Sequence, residues 1–311
     1  MNFCHSSKTK TISLFPVLLL LLATGCSIRR TAVNMVGDAL VKGNSVYETD
    51  EDIDFVGEAL PFGLKFMESL LDVSPEHAGL LLTSCKGFVS YSYAYVQYEA
   101  DVMEDRDLDR SRYLKRRARK LYLRALSYGL RGLDKNYPGF GNQLFLEPEK
   151  AVGRIENKKR NRDLPFLYWS SAALGLAISV SRDDAVLLGR LPEVESLINR
   201  GLELDETWEN GAFHSFMIQL AAAKVGGLDE DFIRHHFERA LELTKGRDAG
   251  LYVAFVEAVS VPTQNREEFM TMLNKALEID PDKNPQTRLM NLIAQRKAHH
   301  LLDRVDDLIL E

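Results

Sequence analysis

The side chains that could carry chemistry are few and scattered in this chain of 311 residues. The sequence has no Gly-x-Ser-x-Gly, no Gly-rich phosphate-binding loop, no His-Glu-x-x-His and no Cys-x-x-Cys. These are motifs that position nucleophiles, phosphates and metal ions. Acidic residues are abundant, but no pair is singled out as a general acid and base. We therefore predict no catalytic residue, no cofactor and no enzyme activity.

The histidines do not form a metal-binding pattern. His235-His236 and His299-His300 are adjacent pairs, and neighbouring side chains on a helix point about 100° apart. Neither pair therefore converges easily on one ion. His299 and Asp303 share a helix face, but this spacing is more typical of a surface ion pair. We predict no metal site.

Aromatic side chains with polar tips gather in two segments. Such rings favour half-buried surfaces, for example a ligand channel or an interface, although core packing explains them equally well. His214 begins a helix close to Trp208. It is either a core histidine with one satisfied hydrogen bond or part of such a surface. The candidates for lining a ligand- or partner-binding surface are Tyr91, Tyr95, Tyr98, Tyr168, Trp169, Trp208 and His214.

The N-terminal cysteine indicates lipid attachment. Two lysines precede the apolar run Ile12–Leu22, which is too short to span a bilayer, and Gly25-Cys26 follows. This order resembles a bacterial lipobox, with Ala23 where Leu is preferred. The alternative is an ordinary signal peptide in which the cysteine is incidental. We predict that Cys26 becomes the acylated first residue, because two or three acyl chains hold a protein on a membrane almost permanently.

The lipobox divides the chain and predicts its compartment. Residues 1–25 are the predicted signal peptide, 26–48 the lipid-anchored segment and 49–311 a helical repeat domain. Ser27 follows the cysteine instead of Asp, which in many double-membrane bacteria permits sorting to the outer membrane. We expect a periplasmic protein anchored to a bacterial membrane. Cys85 would then be the remaining thiol, which excludes an intrachain disulfide.

Composition excludes other classes. Hydrophobic residues make up 45% and charged residues 27% of the chain, as in folded globular proteins. The formal net charge of -6 disfavours nucleic acid as a partner. The basic segment Arg110–Arg131 is either a solvated face paired with nearby acids or a docking surface for an acidic partner or lipid headgroups.

The remaining sequence predicts an all-α fold, because its apolar residues are spaced by three and four. Ser74 is expected to cap a helix with Pro75 at its first position. That helix is apolar on both faces, which predicts burial between neighbours. In the long connection 137–162, Glu149–Asn157 could form a short helix. Helices are predicted at about 49–72, 74–104, 109–136, 164–181, 192–204, 209–225, 229–245, 249–259, 265–279 and 284–309.

A short phrase recurs along the chain. Arg200-Gly-Leu-Glu-Leu-Asp205, Arg239-Ala-Leu-Glu-Leu-Thr244 and Lys275-Ala-Leu-Glu-Ile-Asp280 are separated by 39 and 36 residues, and Arg131-Gly-Leu-Asp134 is similar. A period near 34 with two helices per unit is typical of tetratricopeptide repeats. We predict stacked helix hairpins that form a compact superhelical domain with a concave face. A generic helical bundle is the alternative.

An ordered set of phrases resembles the T component family of lipoproteins associated with tripartite ATP-independent (TRAP) transporters. The phrases are Ala59–Leu71, Ser74–His77, Leu80–Asp101, Leu167–Trp169, Ala258–Asn265 and Leu292–Lys297. The resemblance implies a periplasmic, lipid-anchored, all-helical protein with tetratricopeptide-like repeats. It also implies a trimer with a pore, association with the periplasmic solute-binding subunit, and an apolar or organic-acid ligand.

Three functions follow from these observations. The first is a non-enzymatic accessory protein that docks the solute-binding subunit and passes a ligand through an oligomeric pore. The second is a tetratricopeptide-type scaffold lipoprotein for envelope assembly, without a small ligand. The third is a hydrolase that acts on cell-wall material.

Overall fold

The computed structural model of the protein describes residues 15–43, 45–223 and 229–310, with side chains from residue 28 onward except those at 45, 222 and 223. These residues form helices without any β-strand, which confirms the predicted all-α class. Most of the predicted signal peptide and the side chain of Cys26 lie outside this description. The α-helices are α1 (Phe15–Lys42), α2 (Ser45–Glu48), α3 (Ile53–Val73), α4 (Ala78–Tyr91), α5 (Tyr98–Met103), α6 (Leu108–Asn136), α7 (Phe140–Leu144), α8 (Pro148–Gly153), α9 (Arg160–Ser179), α10 (Ala185–Leu188), α11 (Leu191–Asp205), α12 (Ala212–Ala223), α13 (Glu230–Thr244), α14 (Ala249–Phe255), α15 (Arg266–Leu277), α16 (Arg288–Leu302) and α17 (Val305–Leu308).

Two segments of the chain are π-helical. The first π-helical segment, Ser92–Gln97, joins α4 to α5, and the second, Val256–Ser260, continues α14. Each π-helical segment lies inside a stretch that the sequence predicts as a continuous α-helix. A π-helical turn inserts a residue into the α-helical hydrogen-bond pattern and is frequent at functional sites.

The predicted start of the 74–104 helix is wrong by three residues, because its cap is His77 instead of Ser74. Ser74 ends α3 instead of capping α4, because its N–H donates to the carbonyl of Leu70. Its hydroxyl donates to Asn34 of α1 at 2.7 Å, so the side chain is used between helices. His77 caps α4, with its Nδ1 accepting the N–H of Leu80 at 3.2 Å.

The recurring phrase marks a packing position. Its copies lie near the C-terminal ends of α6, α11, α13 and α15. The second residue of each copy is small and buried: Gly132, Gly201, Ala240 and Ala276. A Cβ on Gly132 would lie 2.1 Å from the ring of Phe166, and one on Gly201 would lie 2.2 Å from the ring of Phe213. The first two copies therefore keep space for an aromatic ring of a neighbouring helix, α9 for Gly132 and α12 for Gly201. The tetratricopeptide interpretation stays a prediction.

Neighbouring helices pack side by side along the chain. α4 packs on α6, α6 on α9 and α9 on α11; further on, α12 packs on α13 and α14 on α15. One apolar core runs from Leu64 to Leu220, and a second runs from Ile218 to Ile309. The two cores meet at α12.

The helical array closes on itself, because α16 returns to α2 and α3. Arg288 donates to the carbonyl of Thr49 at 3.0 Å, and Arg296 donates to the carbonyl of Ala94 at 2.7 Å. A small apolar cluster that includes Val56 and Ile293 fills the seam. We call this contact the closure seam. It converts an open stack into a closed array.

Candidate functional site

A cavity of about 1060 Å³ lies where the two ends of the array meet its middle. The first π-helical segment, α5 and α6 form one side. α9 and α12 form the next side, and the second π-helical segment, α16 and α17 complete the wall. About half of the lining residues lie between Tyr93 and Asp183, and the other half lie between Phe216 and Leu308. The cavity therefore depends on the closure seam.

Apolar side chains cover much of the cavity wall. They are Leu176 and Val180 of the α9 end, Phe216 and Leu220 of α12, Ala258 and Leu301 among others. The remaining wall is polar or charged, so the cavity could hold a small molecule that has both an apolar and a polar part.

The charged side chains of the cavity are predominantly basic. Seven Lys or Arg side chains line it, against four Asp or Glu. The whole chain has the opposite balance, with a formal net charge of -6. A basic cavity in an acidic protein attracts anions, because walls of low dielectric constant focus the potential.

A row of basic side chains on α6 forms the rim of the cavity. Lys115 pairs with Glu104 at 2.7 Å, and Arg119 pairs with Asp184 at 2.8 Å. Arg112 is 61% exposed and lies 3.9 Å from Asp109. Arg116 is exposed and has no ion-pair partner among the residues that the structure describes. The row therefore keeps free positive charge at the cavity entrance.

Lys297 connects the two π-helical segments inside the cavity. Its ammonium lies 2.8 Å from the carboxylate of Glu257, which is in the second segment. It also lies 5.5 Å from the centre of the Tyr93 ring, which is in the first segment. Gln97 of the first segment accepts a hydrogen bond of 2.7 Å from the Tyr122 hydroxyl. Both departures from α-helical geometry thus supply polar groups to the same cavity.

Titration inside the cavity is strongly perturbed. Burial raises the pKa of Asp101 to about 6, with Lys297 opposing this shift and Glu257 adding to it. Burial disfavours the charged form of Lys297, but Glu257, Tyr93 and Asp101 outweigh it and raise the pKa of the ammonium. Perturbed groups of this kind in a cleft are candidates for a functional site.

A smaller cavity of about 590 Å³ lies beside the closure seam. Tyr98, Arg106, Arg296 and His299 line it. His300 lines both this cavity and the larger one. The two spaces are therefore neighbours on either side of one imidazole.

The predicted tyrosine group of residues 91–98 lies at the closure seam. Tyr91 and Tyr95 stack at 5.6 Å, and the Tyr95 hydroxyl donates to the carbonyl of Ile53 at 2.8 Å. The guanidinium of Arg296 lies 4.4 Å from the centre of the Tyr98 ring. Tyr98 lines the smaller cavity, and neither Tyr91 nor Tyr95 lines either cavity.

The second predicted group surrounds Tyr168. Its ring lies 5.1 Å from Trp169, 5.2 Å from Trp208 and 5.5 Å from Phe213. None of these rings lines either cavity. Phe216, 6.2 Å from Tyr168, is the member that reaches the wall of the larger cavity. The lining role predicted for Tyr168, Trp169 and Trp208 stays a prediction.

His214 is buried behind this cluster in a polar pair. Its Nδ1 lies 2.8 Å from Nδ1 of His236, and its Nε2 lies 3.3 Å from Glu206. Burial lowers the pKa of His214 despite Glu206, and it lowers the pKa of His236 to about 4. One ring nitrogen of the pair donates to the other, so the contact requires at least one neutral ring. Among the described residues no set of three metal-ligating side chains converges.

Sequence reasoning missed the charged groups inside the cavity. Lys297 occupies a position of α16 that its neighbours Ile293, Ala294 and Leu301 mark as apolar. Glu257 interrupts the apolar run that continues from α14 into the second π-helical segment. A charge within an apolar stripe was the available signal. What it could not give is that α14 and α16 face the same space as Tyr93.

Comparison with known proteins gives two matches. The family model described as TRAP transporter T-component matches residues 49–309. An uncharacterized protein of Treponema pallidum (strain Nichols) is 26% identical over 307 residues, which cover 94% of this chain and 95% of that protein. In the described part of the chain, no helix combines the length and apolar character needed to cross a membrane.

Proposed function

The chain belongs to the TRAP transporter T-component family and is thus an accessory component of such a transporter, and we propose that it docks the solute-binding subunit and passes an organic anion with an apolar part through its central cavity. The observation that carries the proposal is the excess of basic over acidic side chains in a partly apolar cavity of an acidic protein. The family is one of transporter components and not a known enzyme family.

The cavity wall supports a ligand with two different ends. Apolar side chains such as Leu176 and Phe216 would hold a hydrocarbon part, since each buried CH₂ contributes about 0.8 kcal/mol. The basic side chains of α6 at the cavity rim would bind a carboxylate, because the guanidinium of Arg116 is not neutralised by an ion pair with another described residue. Deeper in the cavity, Asp101 and Glu257 oppose a second negative charge. A single negative charge that stays at the rim fits this distribution best.

The rim also fits a docking surface. Arg112, Arg116 and Arg182 are exposed where the cavity opens. Exposed cations of this kind steer an acidic partner and fix its orientation more than they add affinity. We place the solute-binding subunit on this rim, so that its ligand would face the cavity entrance.

Anchoring completes the proposal. Acylation of Cys26 would hold the helical domain, residues 49–311, on the periplasmic side of a membrane, and Ser27 is compatible with the outer membrane. Cys85 is fully buried against α6, and burial raises the pKa of its thiol. It is therefore poorly suited to react or to carry a lipid. We also propose that the protein assembles as a homo-oligomer, a trimer by resemblance to the family.

The test uses decanoate as the anionic probe and decanol as its neutral counterpart, each titrated calorimetrically into the detergent-extracted protein. We expect decanoate to bind at least about tenfold more tightly, which corresponds to about 1.4 kcal/mol. The double variant Arg112→Glu, Arg116→Glu should remove this preference and leave decanol binding unchanged. Lys120→Glu is the matched control, since Lys120 is exposed on the same helix and does not line the cavity.

Two outcomes would contradict the proposal. Equal binding of both probes by the unaltered protein would exclude a charge-selective cavity. An equal effect of Lys120→Glu would show that the charge of α6 acts only at long range. Retention of the solute-binding subunit on the immobilised protein, measured at increasing salt, tests docking separately and should fall in the double variant.

A further inference from the structure

The smaller cavity is formed by parts of the chain that meet at the closure seam. Ile53 begins α3, Tyr98 and Val102 belong to α5, and α16 supplies Leu292 and His299 among others. Its volume of about 590 Å³ lies within the range of about 300–1,000 Å³ that is usual for ligand sites. The proposed function makes no use of this space.

Two opposite charges line the smaller cavity without neutralising each other. Arg106, in the turn between α5 and α6, and Asp303, which follows α16, are both exposed. Neither forms an ion pair with the other or with any other residue that the structure describes. Burial lowers the pKa of His300, Arg304 and Arg106 add to this shift, and Asp303 opposes it. The two unpaired charges therefore act on the same region of the wall.

The second guanidinium of the wall is already engaged. Arg296 donates to the carbonyl of Ala94 at 2.7 Å and lies 3.5 Å from the carboxylate of Asp54. It also lies 4.4 Å from the centre of the Tyr98 ring. Arg296 is thus a structural part of the wall, whereas Arg106 is left to bind an anionic group.

Two buried nitrogens of the lining side chains have no hydrogen-bond partner among the described residues. They are Nε of Arg296 and Nε2 of His300. Buried polar atoms are nearly always paired in native proteins, and an unpaired one is costly. These atoms favour a polar occupant beside them over a purely apolar one.

The rest of the wall is apolar. Ile53, Val102 and Leu292 are half-buried and line the cavity, as does the ring of Tyr98. Such surfaces hold a hydrocarbon or aromatic group. A simple anion would meet the charge of Asp303, and a simple cation would meet that of the guanidinium groups. A molecule with both charges and an apolar part satisfies the whole wall.

We propose that the smaller cavity is a second ligand site, which binds a zwitterionic amino acid with an apolar side chain. The ligand carboxylate pairs with Arg106, whose planar guanidinium suits it. The ligand ammonium group pairs with Asp303, and its side chain packs on Val102 and Leu292. None of these four residues lines the larger cavity, so the site is separate from the proposed anion passage. Because the walls come from both sides of the closure seam, a bound ligand would also hold the seam closed.

The first test compares L-leucine with two analogues that each lack one charge. Isocaproate lacks the ammonium group, and isoamylamine lacks the carboxylate. Each is titrated calorimetrically into the detergent-extracted protein. We expect leucine to bind at least about tenfold more tightly than either analogue, because each analogue leaves one protein charge unpaired. Leucine that binds no more tightly than the analogues, or that does not bind at all, would overturn the proposal.

Two variants assign the ligand charges to their partners. Asp303→Asn should weaken leucine binding about tenfold and should not weaken isocaproate binding. Arg106→Gln should weaken leucine binding to a similar degree and should not weaken isoamylamine binding. Asp307→Asn is the matched control, because Asp307 is exposed on the same end of the chain and lines neither cavity. Leucine binding that is unchanged in both variants would overturn the proposal.

Decanoate separates this site from the larger cavity. Asp303→Asn and Arg106→Gln should bind decanoate as the unaltered protein does, since neither residue lines the larger cavity. The double variant Arg112→Glu, Arg116→Glu should in turn keep its affinity for leucine. If only that double variant loses leucine, the amino acid binds in the larger cavity and the second site is overturned. If the unaltered protein binds leucine as expected but shows no preference for decanoate, the second site stands and the anion passage does not.

Discussion

The two aromatic groups of this protein contain similar side chains in different surroundings. At the closure seam, Tyr95 uses its hydroxyl to reach Ile53, and its ring faces the guanidinium of Arg296 at 5.8 Å. In the second cluster, Tyr168 contacts four other rings, and its hydroxyl has no hydrogen bond to another described residue. One tyrosine joins two remote parts of the chain, and the other fills space between adjacent helices.

The comparison teaches that aromatic content alone does not locate a site. Burial raises the pKa of Tyr95 to about 12 and also raises the pKa of Tyr168. Both hydroxyls thus stay neutral at physiological pH. The two groups differ in their charged neighbours: Tyr95 faces Arg296, which is distant in sequence, whereas Tyr168 is surrounded by rings. The larger cavity resembles the first group in this respect, because Lys297 and Glu257 meet Tyr93 there.

The largest effect should come from the Tyr168 cluster. We predict that Tyr168→Ala lowers the free energy of unfolding by about 3–5 kcal/mol, since it removes a ring packed among other rings. Tyr168→Phe keeps the ring and should be nearly neutral. Urea unfolding followed by circular dichroism measures both. If Tyr168→Ala unfolds like the unaltered protein but no longer binds decanoate, the ring lines a binding surface, as its polar tip predicts.

The next effect concerns the ion pair inside the cavity. Lys297→Met leaves the partly exposed carboxylate of Glu257 without its partner and should cost about 1–2 kcal/mol, because a charge-assisted hydrogen bond is lost and solvent compensates only in part. Adding Glu257→Gln should recover much of this loss, and a double-mutant cycle measures the coupling. Without any recovery, Lys297 would act mainly through its hydrocarbon stem.

A smaller effect should depend on pH. The pKa of Asp101 rises from 3.8 to about 6 on folding, so the folded protein holds this proton more tightly than the unfolded chain. The group therefore lowers stability as the pH rises from about 4 to about 6, and stability stays lower above that range. Asp101→Asn should stabilise the protein at pH 7 by about 1–2 kcal/mol relative to its effect at pH 3.5, with allowance for solvent in the cavity. Thermal melts of both proteins across this range measure the difference.

The smallest effect separates members of the closure seam. Tyr95→Phe removes the hydrogen bond to Ile53 and should cost about 0.5–1.5 kcal/mol. Tyr91→Phe removes a contact of 3.2 Å with Arg117 at the surface and should cost less. Hydrogen exchange of the α3 amides should rise in the first variant and not in the second. Equal protection in both would mean that the seam is held by its apolar side chains alone.

The sequence predicted the elements well, because helical spacing is a local property. Most helices lie where the apolar periodicity places them, and α6 begins one residue before its predicted start. The helix ends were less predictable, because they depend on capping side chains. Asp52 caps α3 by accepting hydrogen bonds from the N–H groups of Asp54 and Phe55. The predicted cap Ser74 instead donates its hydroxyl to Asn34 of α1. The 284–309 helix is interrupted between α16 and α17.

The cavity could not be predicted in the same way, because its parts come from distant sequence. Tyr93 precedes Glu257 by 164 residues, far more than one repeat spans, and Lys297 follows Glu257 by a further 40 residues. The π-helical segments have no local signal either, since each replaces a regular turn inside an apolar helix. The aromatic candidates were predicted from residue type, which the sequence shows directly. The cavity depends on which charged side chains meet in space, which the sequence does not show.

The closure seam also has a consequence for the order of folding. Contacts within a stack of helix pairs are local, so such a stack can form progressively from any point. The seam joins residues more than 200 positions apart, as in the hydrogen bond from Arg296 to Ala94. A contact of that separation must await most of the chain and carries the entropy cost of closing a long loop. We expect the array to fold before it closes, so a chain that lacks α16 would keep its hairpins but would have no cavity.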